Sequence, residues 1–597
     1  MIRPIPLAAA LAAAIAAFAG AFALAETQAK PRAQVDPLFE GAGPACVPNG
    51  SGRPPLLQAL VLAQSETRPF PPQPMQAADG QPMRYDDLGT LVFPAGTRNA
   101  EAQGWFDQGL RWAFAFNHAE AQRAFRAAQQ ADPAFALAHW GEDFVLGPNI
   151  NAPMLPDAVA PAWAALGKAV QLGHSAPEKD RALIEALRKR YSNDPAADRA
   201  ALDGAFADAM KAVSARFPDD DTIATLYAES VMDTQPWDYW EAAGTRPKAR
   251  GGEIFSTLEK VLARNPSHAG AIHLYIHAVE ASAEPERALP HARRLAALMP
   301  GAGHIVHMPA HIYFRLGMYR EALAVNKTAI AADDAYFRTS PSDPMYRFAY
   351  YPHNIHFVLV SAQMGGDGPT AIDAATRLDA SLDDAVVANF PSLEPIKAAP
   401  HLAHAVFSAP DTVLALKVPP ANQVLVSALA HYARALAYVS KRDAQAARRE
   451  IAEIAKLEGT ADFKPYADWL VPGKEIVQTA KLVATARLAD AEGDLAAAAN
   501  AYEAAIAVED SLSYMEPPYW YYPIRQSLGS VRLRQGQLDQ AEQALRGSLA
   551  RVRGNGWALA GLAEVYRRKG DAASEQATRT AFERAWFGGA APAIDRL

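Results

Sequence analysis

Eight of the fifteen histidines lie between residues 273 and 356, and their spacing is regular. His273, His277 and Glu280 stand in "HAGAIHLYIHAVEAS", and His304, His307 and His311 in "AGHIVHMPAHIYFRL". His273 to His307 and His277 to His311 are both steps of 34 residues. At 100° per residue, each set of three falls within about 60° of one helix face. A third stretch, "YYPHNIHFVLV", sets His353 and His356 one helical turn apart. Glu229, 48 residues before His277, takes the matching place in "DTIATLYAESVMDTQPW". A single His on an alanine-rich helix is ordinarily a surface or capping residue. Rows of imidazoles on neighbouring helices need partners for every ring nitrogen, or burial becomes costly.

Imidazole and carboxylate together suit a divalent transition metal such as Zn²⁺, Cu²⁺ or Fe²⁺. The predicted ligands are His273, His277, Glu280, His304, His307, His311, His353 and His356, with Glu229 at the edge. This exceeds one tetrahedral shell, so either two ions bind or some residues are outer partners or substrate contacts. Three readings follow. The set is a binding centre; or it is catalytic, a metal-dependent hydrolase or oxidase with Glu229 or Glu280 as general base; or it is metal-free and its histidines bond a peptide or protein ligand. No HExxH, GxSxG, P-loop or strand-borne GxGxxG motif is present.

The rest of the chain must position these rows. It has 597 residues, half of them apolar, and a net charge of −8 without a basic block, so a nucleic-acid surface is not expected. Residues 1–25 read as a secretory signal peptide: Arg3, the apolar run Leu7 to Phe22, and cleavage after Ala25. That predicts a periplasmic or secreted protein, with no transmembrane segment in the mature chain. Cys46 is the single cysteine, which rules out an intramolecular disulfide. Residues 26–97, rich in Pro, Gly and Gln, read as an irregular extension. From about residue 98 the texture becomes that of successive amphipathic helices.

In "GWFDQGLRWAFAFNHAEAQRAFRAAQQADP", Trp105, Gly109, Trp112, Ala121, Phe125, Ala128 and Pro133 follow a spacing that resembles the tetratricopeptide repeat (TPR). Gly493, Ala498, Tyr502 and Ala505 repeat it, as do Gly529, Gly536, Ala541 and Leu545. Pro266 and Pro300 close two central units 34 residues apart, whereas Pro218 and Pro266 are 48 apart, an insertion that must hold "QPWDYWEAAGTRPKAR". The resemblance implies an all-α, TPR-like helix-turn-helix solenoid with repeats over 98–218, 219–390 and 391–597, the central group bearing the His/Glu rows on its concave face. It also implies a groove for a peptide or protein. The stretch "GHIVHMPAHIYFRLG" followed by "YPHNIHF" resembles a group of secreted bacterial TPR proteins.

Pro309 leaves two possibilities. Either the helix starts at Met308 and only His311 lies on it, or one helix runs through His304 with a kink. Four aromatic segments, 146–154, 235–240, 348–354 and 516–525, are candidate walls of a groove or ordinary packing between repeats, and Arg315, Arg347 and Arg525 are candidate anion contacts.

Overall fold

The computed structural model describes residues 82–597, apart from 152, 195–196, 242–243, 341–345, 418, 421 and 513. The signal-peptide segment, Cys46 and most of the N-terminal extension lie outside the described residues. Everything described belongs to one compact unit. Among the described residues the regular elements are helices, and the extended contacts amount to one bridge between Trp240 and Pro247. No described helix is long and apolar enough to cross a membrane.

The chain is a TPR-like array of antiparallel helix pairs joined by short turns. The first pair is α1 (Ala100–Phe114) and α2 (His118–Ala131). Asn99 starts α1 by accepting from the backbone N–H groups of Glu101 and Ala102 at 2.9 and 3.2 Å. Phe125 on α2 is fully buried between two glycines: a Cβ at Gly109 would lie 2.6 Å from its ring, and one at Gly141 2.5 Å. The small residues of the repeat pattern are therefore where a neighbouring ring fills the gap between helices. The described part of the extension has no regular structure but is pinned to the array, with Phe93 donating its N–H to Asp107 at 3.0 Å and Gly96 donating to Asp180 at 2.7 Å.

The central helices are α3 (Asp221–Met232), α4 (Gly251–Arg264), α5 (Ala269–Val279), α6 (Leu289–Leu298), α7 (Gly303–His307), α8 (Pro309–Arg315), α9 (Tyr319–Thr339) and α10 (Tyr351–Met364). The extra length between α3 and α4 forms a loop that folds back on the array, its Trp240 donating to the carbonyl of Ala278 at 2.7 Å. At Pro309 the second possibility holds. Met308, at φ −51° and ψ −37°, keeps helical geometry between α7 and α8, so His304, His307 and His311 all sit on one interrupted helical path. Proline supplies no N–H, and its first-turn place in α8 makes that tolerable.

Two large apolar cores run through the array, and they meet here. Met308 and Ile312 pack into the first, which also holds Leu274 and Ile305; Ala310, Phe314 and Phe357 pack into the second. The histidines occupy the seam between them.

Candidate metal centre

The two central rows and His353 of the third stretch converge as six imidazoles in two triads. In the first triad, α5 supplies His273 and His277 and α7 supplies His304; in the second, α7, α8 and α10 supply His307, His311 and His353. Within each triad one ligand nitrogen per residue lies within 4.8 Å of the others. The rings also touch between triads, His277 to His311 at 5.6 Å and His304 to His307 at 5.9 Å between centroids. The rows are not spread along an open concave face. All but His353 are buried, which alone of the six retains partial exposure. Phe116, at the α1–α2 turn, stacks on His277 and His304 and lies 4.4 Å from His273. Trp237 of the insertion loop meets His277 edge-on at 4.7 Å, and Tyr350 lies 4.5 Å from His304.

The outer nitrogens fix the inner ones. His273 Nδ1 donates to the carbonyl of Phe114 at 2.7 Å, and His277 Nδ1 to Glu280 Oε1 at 2.9 Å. His311 Nδ1 donates to Glu280 Oε2 at 2.7 Å, so one carboxylate holds a histidine of each triad. His307 Nδ1 donates to Asn326 Oδ1 at 2.6 Å, and the orientation of that amide is set by its own NH₂, which donates to the carbonyl of Ala322 at 2.7 Å. With Nδ1 protonated, a neutral ring turns a bare Nε2 inward. Yet Nε2 of His273 faces Nε2 of His304 at 3.2 Å, and Nε2 of His307 faces Nε2 of His311 at 2.9 Å. His277 Nε2 and His304 Nδ1 are buried without a hydrogen-bond partner. Tetrahedral bonds of about 2.0–2.1 Å put ligand nitrogens about 3.3 Å apart, close to the His273–His304 separation, whereas the 2.9 Å of His307–His311 is shorter and has hydrogen-bond length.

Burial pushes His273, His277, His304, His307 and His353 well below the ordinary imidazole range, and neighbouring imidazoles add to the effect. These rings stay neutral, as metal ligands must. His311 goes the other way. Burial opposes its charge, but Glu280 and Glu516 outweigh burial and raise it to about 10. With a second proton, it donates Nε2–H to His307. A metal ion at this triad takes that proton's place.

His304 has a dedicated support. Its N–H donates to Tyr346 Oη at 3.1 Å, and Tyr346 donates in turn to Asp333 at 2.9 Å. Asp333 comes so near α7 that a Cβ on Gly303 would lie 1.8 Å from its oxygen, so only glycine fits before His304. Glu516 and Tyr514 were not among the predicted ligands. Tyr514 donates to Glu516 at 2.6 Å, and Glu516 Oε2 lies 3.6 Å from His311 Nδ1, which makes Glu280, His311 and Glu516 a third convergent group. Glu516 opens one of the aromatic segments, but nothing in its spacing links it to residues more than 200 positions earlier.

Two predicted residues lie apart. His356 leaves both triads and packs 5.8 Å from Tyr521, with neither ring nitrogen hydrogen-bonded, because one helical turn along α10 carries it past the seam. Glu229 is buried with Asp233, whose other oxygen receives Arg190 at 2.7 Å; burial and Asp233 raise its carboxyl well above the usual range. The candidate anion contacts are engaged elsewhere. Arg315 donates to the carbonyls of Glu280 and Ser282 at 2.8 and 2.9 Å, Arg347 lies over Phe337, and Arg525 pairs with Asp510 at 2.6 Å.

No protein-family model matches the chain, and no curated protein is a significant match. Among solved structures, the human IFIT1 dimer with m7Gppp-AAAA is 14% identical over 75% of this chain and 89% of its own, with a TM-score of 0.32. The APC/C hetero-tetramer Cut9–Hcn1 is 13% identical over 85% of this chain and 79% of its own, with a TM-score of 0.28. The TPR domain of P58(IPK) is 12% identical over 79% of this chain and 100% of its own, with a TM-score of 0.22. Likenesses at these scores carry no functional weight, and the repeat fold stands on the chain's own helix pairs.

Proposed function

We propose that the seam is a transition-metal centre, with an ion held in each imidazole triad, in a protein exported to the periplasm or beyond. The facing Nε2 pairs at 3.2 and 2.9 Å support this most directly, because the outer nitrogen, Nδ1, of three of these four rings is already committed to an acceptor. Zinc, copper and iron are the ions that imidazole suits. The residues in contact with the ions are His273, His277 and His304 for one, and His307, His311 and His353 for the other. Glu280 and Asn326 are outer partners that orient the rings. The N-terminal residues carry the export reading by their sequence pattern.

A catalytic reading is favoured by one feature. Three protein ligands per ion leave a fourth position for water or substrate, as in zinc enzymes. Of the carboxylates, Glu229 is turned toward Asp233, and Glu280 and Glu516 both lie on the outer, Nδ1 side of His311, behind the ring from that open position.

Metal analysis of the purified chain, with thermal melting in the presence of Zn²⁺, Cu²⁺ or Fe²⁺, tests the proposal. Two ions per chain and a raised melting temperature are expected, both lost in a His277→Ala/His311→Ala variant. A metal-free chain whose melting is unmoved by all three ions would overturn it, leaving a metal-free scaffold for a peptide or protein ligand.

A further inference from the structure

We infer that the chain holds a second ligand site, apart from the seam: a cavity between the later repeats that takes a small carboxylate with an apolar body. The cavity measures about 310 Å³, at the small end of ligand pockets. Its walls come from the helix Glu394–Phe407 and from the first helices of the pairs that follow, Val424–Ser440, Gly473–Ala491, Ile524–Arg534 and Gly556–Lys569. Stacked repeats turn the same face of each first helix to one side, which makes a continuous surface. Tyr432, Leu436 and Val439 keep the i, i+4, i+7 spacing of one such face, and Arg487, Asp490 and Ala491 the i, i+3, i+4 spacing of the next. Val406, Leu436, Val439 and Trp557 form its apolar wall. The indole N–H of Trp557 is already bonded to the carbonyl of Gln363 at 3.0 Å, so this ring offers the cavity only apolar surface.

The polar groups left over in the cavity are donors. Arg487 makes its hydrogen bonds through Nη2, to Tyr522 Oη at 2.7 Å, Ser527 Oγ at 3.2 Å and the backbone oxygen of Leu597 at 2.7 Å. The rings of Tyr502 and Tyr522, 6.0 and 5.8 Å from the guanidinium carbon, fix its place. Its Nε and Nη1 have no partner among the described residues, whatever charge the Leu597 oxygen carries, because that oxygen meets Nη2 alone. Tyr432 is 4% exposed and lines the cavity, and its hydroxyl has no partner among the described residues either. The acceptor beside them is taken: both oxygens of Asp490 receive Arg534, each at 2.6 Å. Asp595 and Arg596 also line the cavity, and both are exposed, so water screens them. Guanidinium and phenol donors beside an apolar wall select a ligand with acceptors at one end. A carboxylate offers about four lone-pair sites in one plane, which matches this donor set. The apolar wall asks for a hydrocarbon or aromatic body behind it, which inorganic phosphate lacks.

Isothermal titration calorimetry of the full-length chain, with and without Zn²⁺, tests the site with benzoate as probe and with benzamide and inorganic phosphate beside it. One benzoate per chain is expected in both conditions, with benzamide and phosphate at least about tenfold weaker. Tyr432→Phe weakens benzoate about tenfold, and Arg487→Met abolishes its binding. Benzamide or phosphate as tight as benzoate overturns the choice of ligand. Benzoate that does not bind, or that binds Tyr432→Phe as tightly as the wild type, overturns the site. Benzoate bound only with Zn²⁺ and untouched by either substitution sits on the metal centre, and overturns the site too. Should Arg487→Met not fold, Tyr432→Phe and the benzamide comparison decide the matter.

Discussion

Arg190 and His307 are each fully buried, at 0% exposure, and their surroundings differ in kind. Arg190 sits between opposite charges, 3.1 Å from Asp203 and 2.7 Å from Asp233, and gives a further bond to the carbonyl of Pro148 at 2.8 Å. His307 has an amide oxygen on one side and, on the other, the like atom of a second imidazole at 2.9 Å. The first cluster pairs its charges with protein groups of opposite sign, although Arg190 Nη1 and Asp233 Oδ1 are left without hydrogen-bond partners. The second is arranged for something with positive charge to stand between lone pairs. Burial of polar groups in this array is therefore no sign of a site by itself; the sign is like atoms turned toward each other with their outer partners already fixed.

Acid should separate the two clusters most strongly. Burial holds His273, His277, His304, His307 and His353 well below the 6.5 of an unfolded imidazole. Above pH 6.5 neither state takes up these protons and stability is whole. Below it the unfolded chain binds protons that the fold refuses, so each ring removes up to about 1.4 kcal/mol per pH unit. Asp233 runs the opposite way. Burial raises it from 3.8 to about 7, so its contribution is full below 3.8 and is lost as pH rises through about 7. Asp333, Glu394 and Glu509, also raised to about 7, share its sign and offset the imidazoles in total stability. The check is therefore on the rings themselves: in NMR titration of the metal-free chain, His273, His277, His304, His307 and His353 should stay neutral from pH 6.5 to 5.5. Protonation of these rings in that window would mean that they are not buried as neutral groups.

Arg190→Met comes next. Asp203 keeps Arg199 at 2.8 Å, but leaving buried Asp233 without its cation costs about 3–5 kcal/mol in urea unfolding, with zinc stoichiometry unchanged in the folded protein. Zinc at a hundred times its Kd then adds about 2.7 kcal/mol for each bound ion to the wild type and to Arg190→Met alike, and nothing to His277→Ala/His311→Ala. The smallest effect expected is at Asn326. Asn326→Leu removes the acceptor behind His307 and should weaken zinc about 10- to 100-fold by titration, whereas Asn326→Asp keeps an acceptor and most of the affinity.

The 34-residue step made His273, His277, His307 and His311 readable as neighbours, because a repeat of fixed length puts equal positions on adjacent helices. Even the division of labour on α7 and α8 follows from helical spacing once Met308 is seen to be helical. Spacing could not tell an open groove from a filled seam. Phe116, Trp237 and Glu516 close the centre from places far along the chain, and their contacts depend on the coiling of the whole array. The same limit explains Glu229. The insertion that follows it shifts the frame, and its slot on α3 faces Asp233 and Arg190 instead of the triads.

Glu280 is also where distance along the chain matters. The six rings come from fewer than three consecutive repeats, but the bonds that shut them in are long-range: His273 to Phe114 across 159 residues, Tyr514 to Glu280 across 234. An ion taken into a centre assembled locally and sealed remotely would enter at one stage of folding and be locked in at another. Release of its contents then waits for the ends of the array to part, a sub-global opening far rarer than the swing of a side chain. Exchange of a bound ion would be slow for reasons of topology, whatever its affinity.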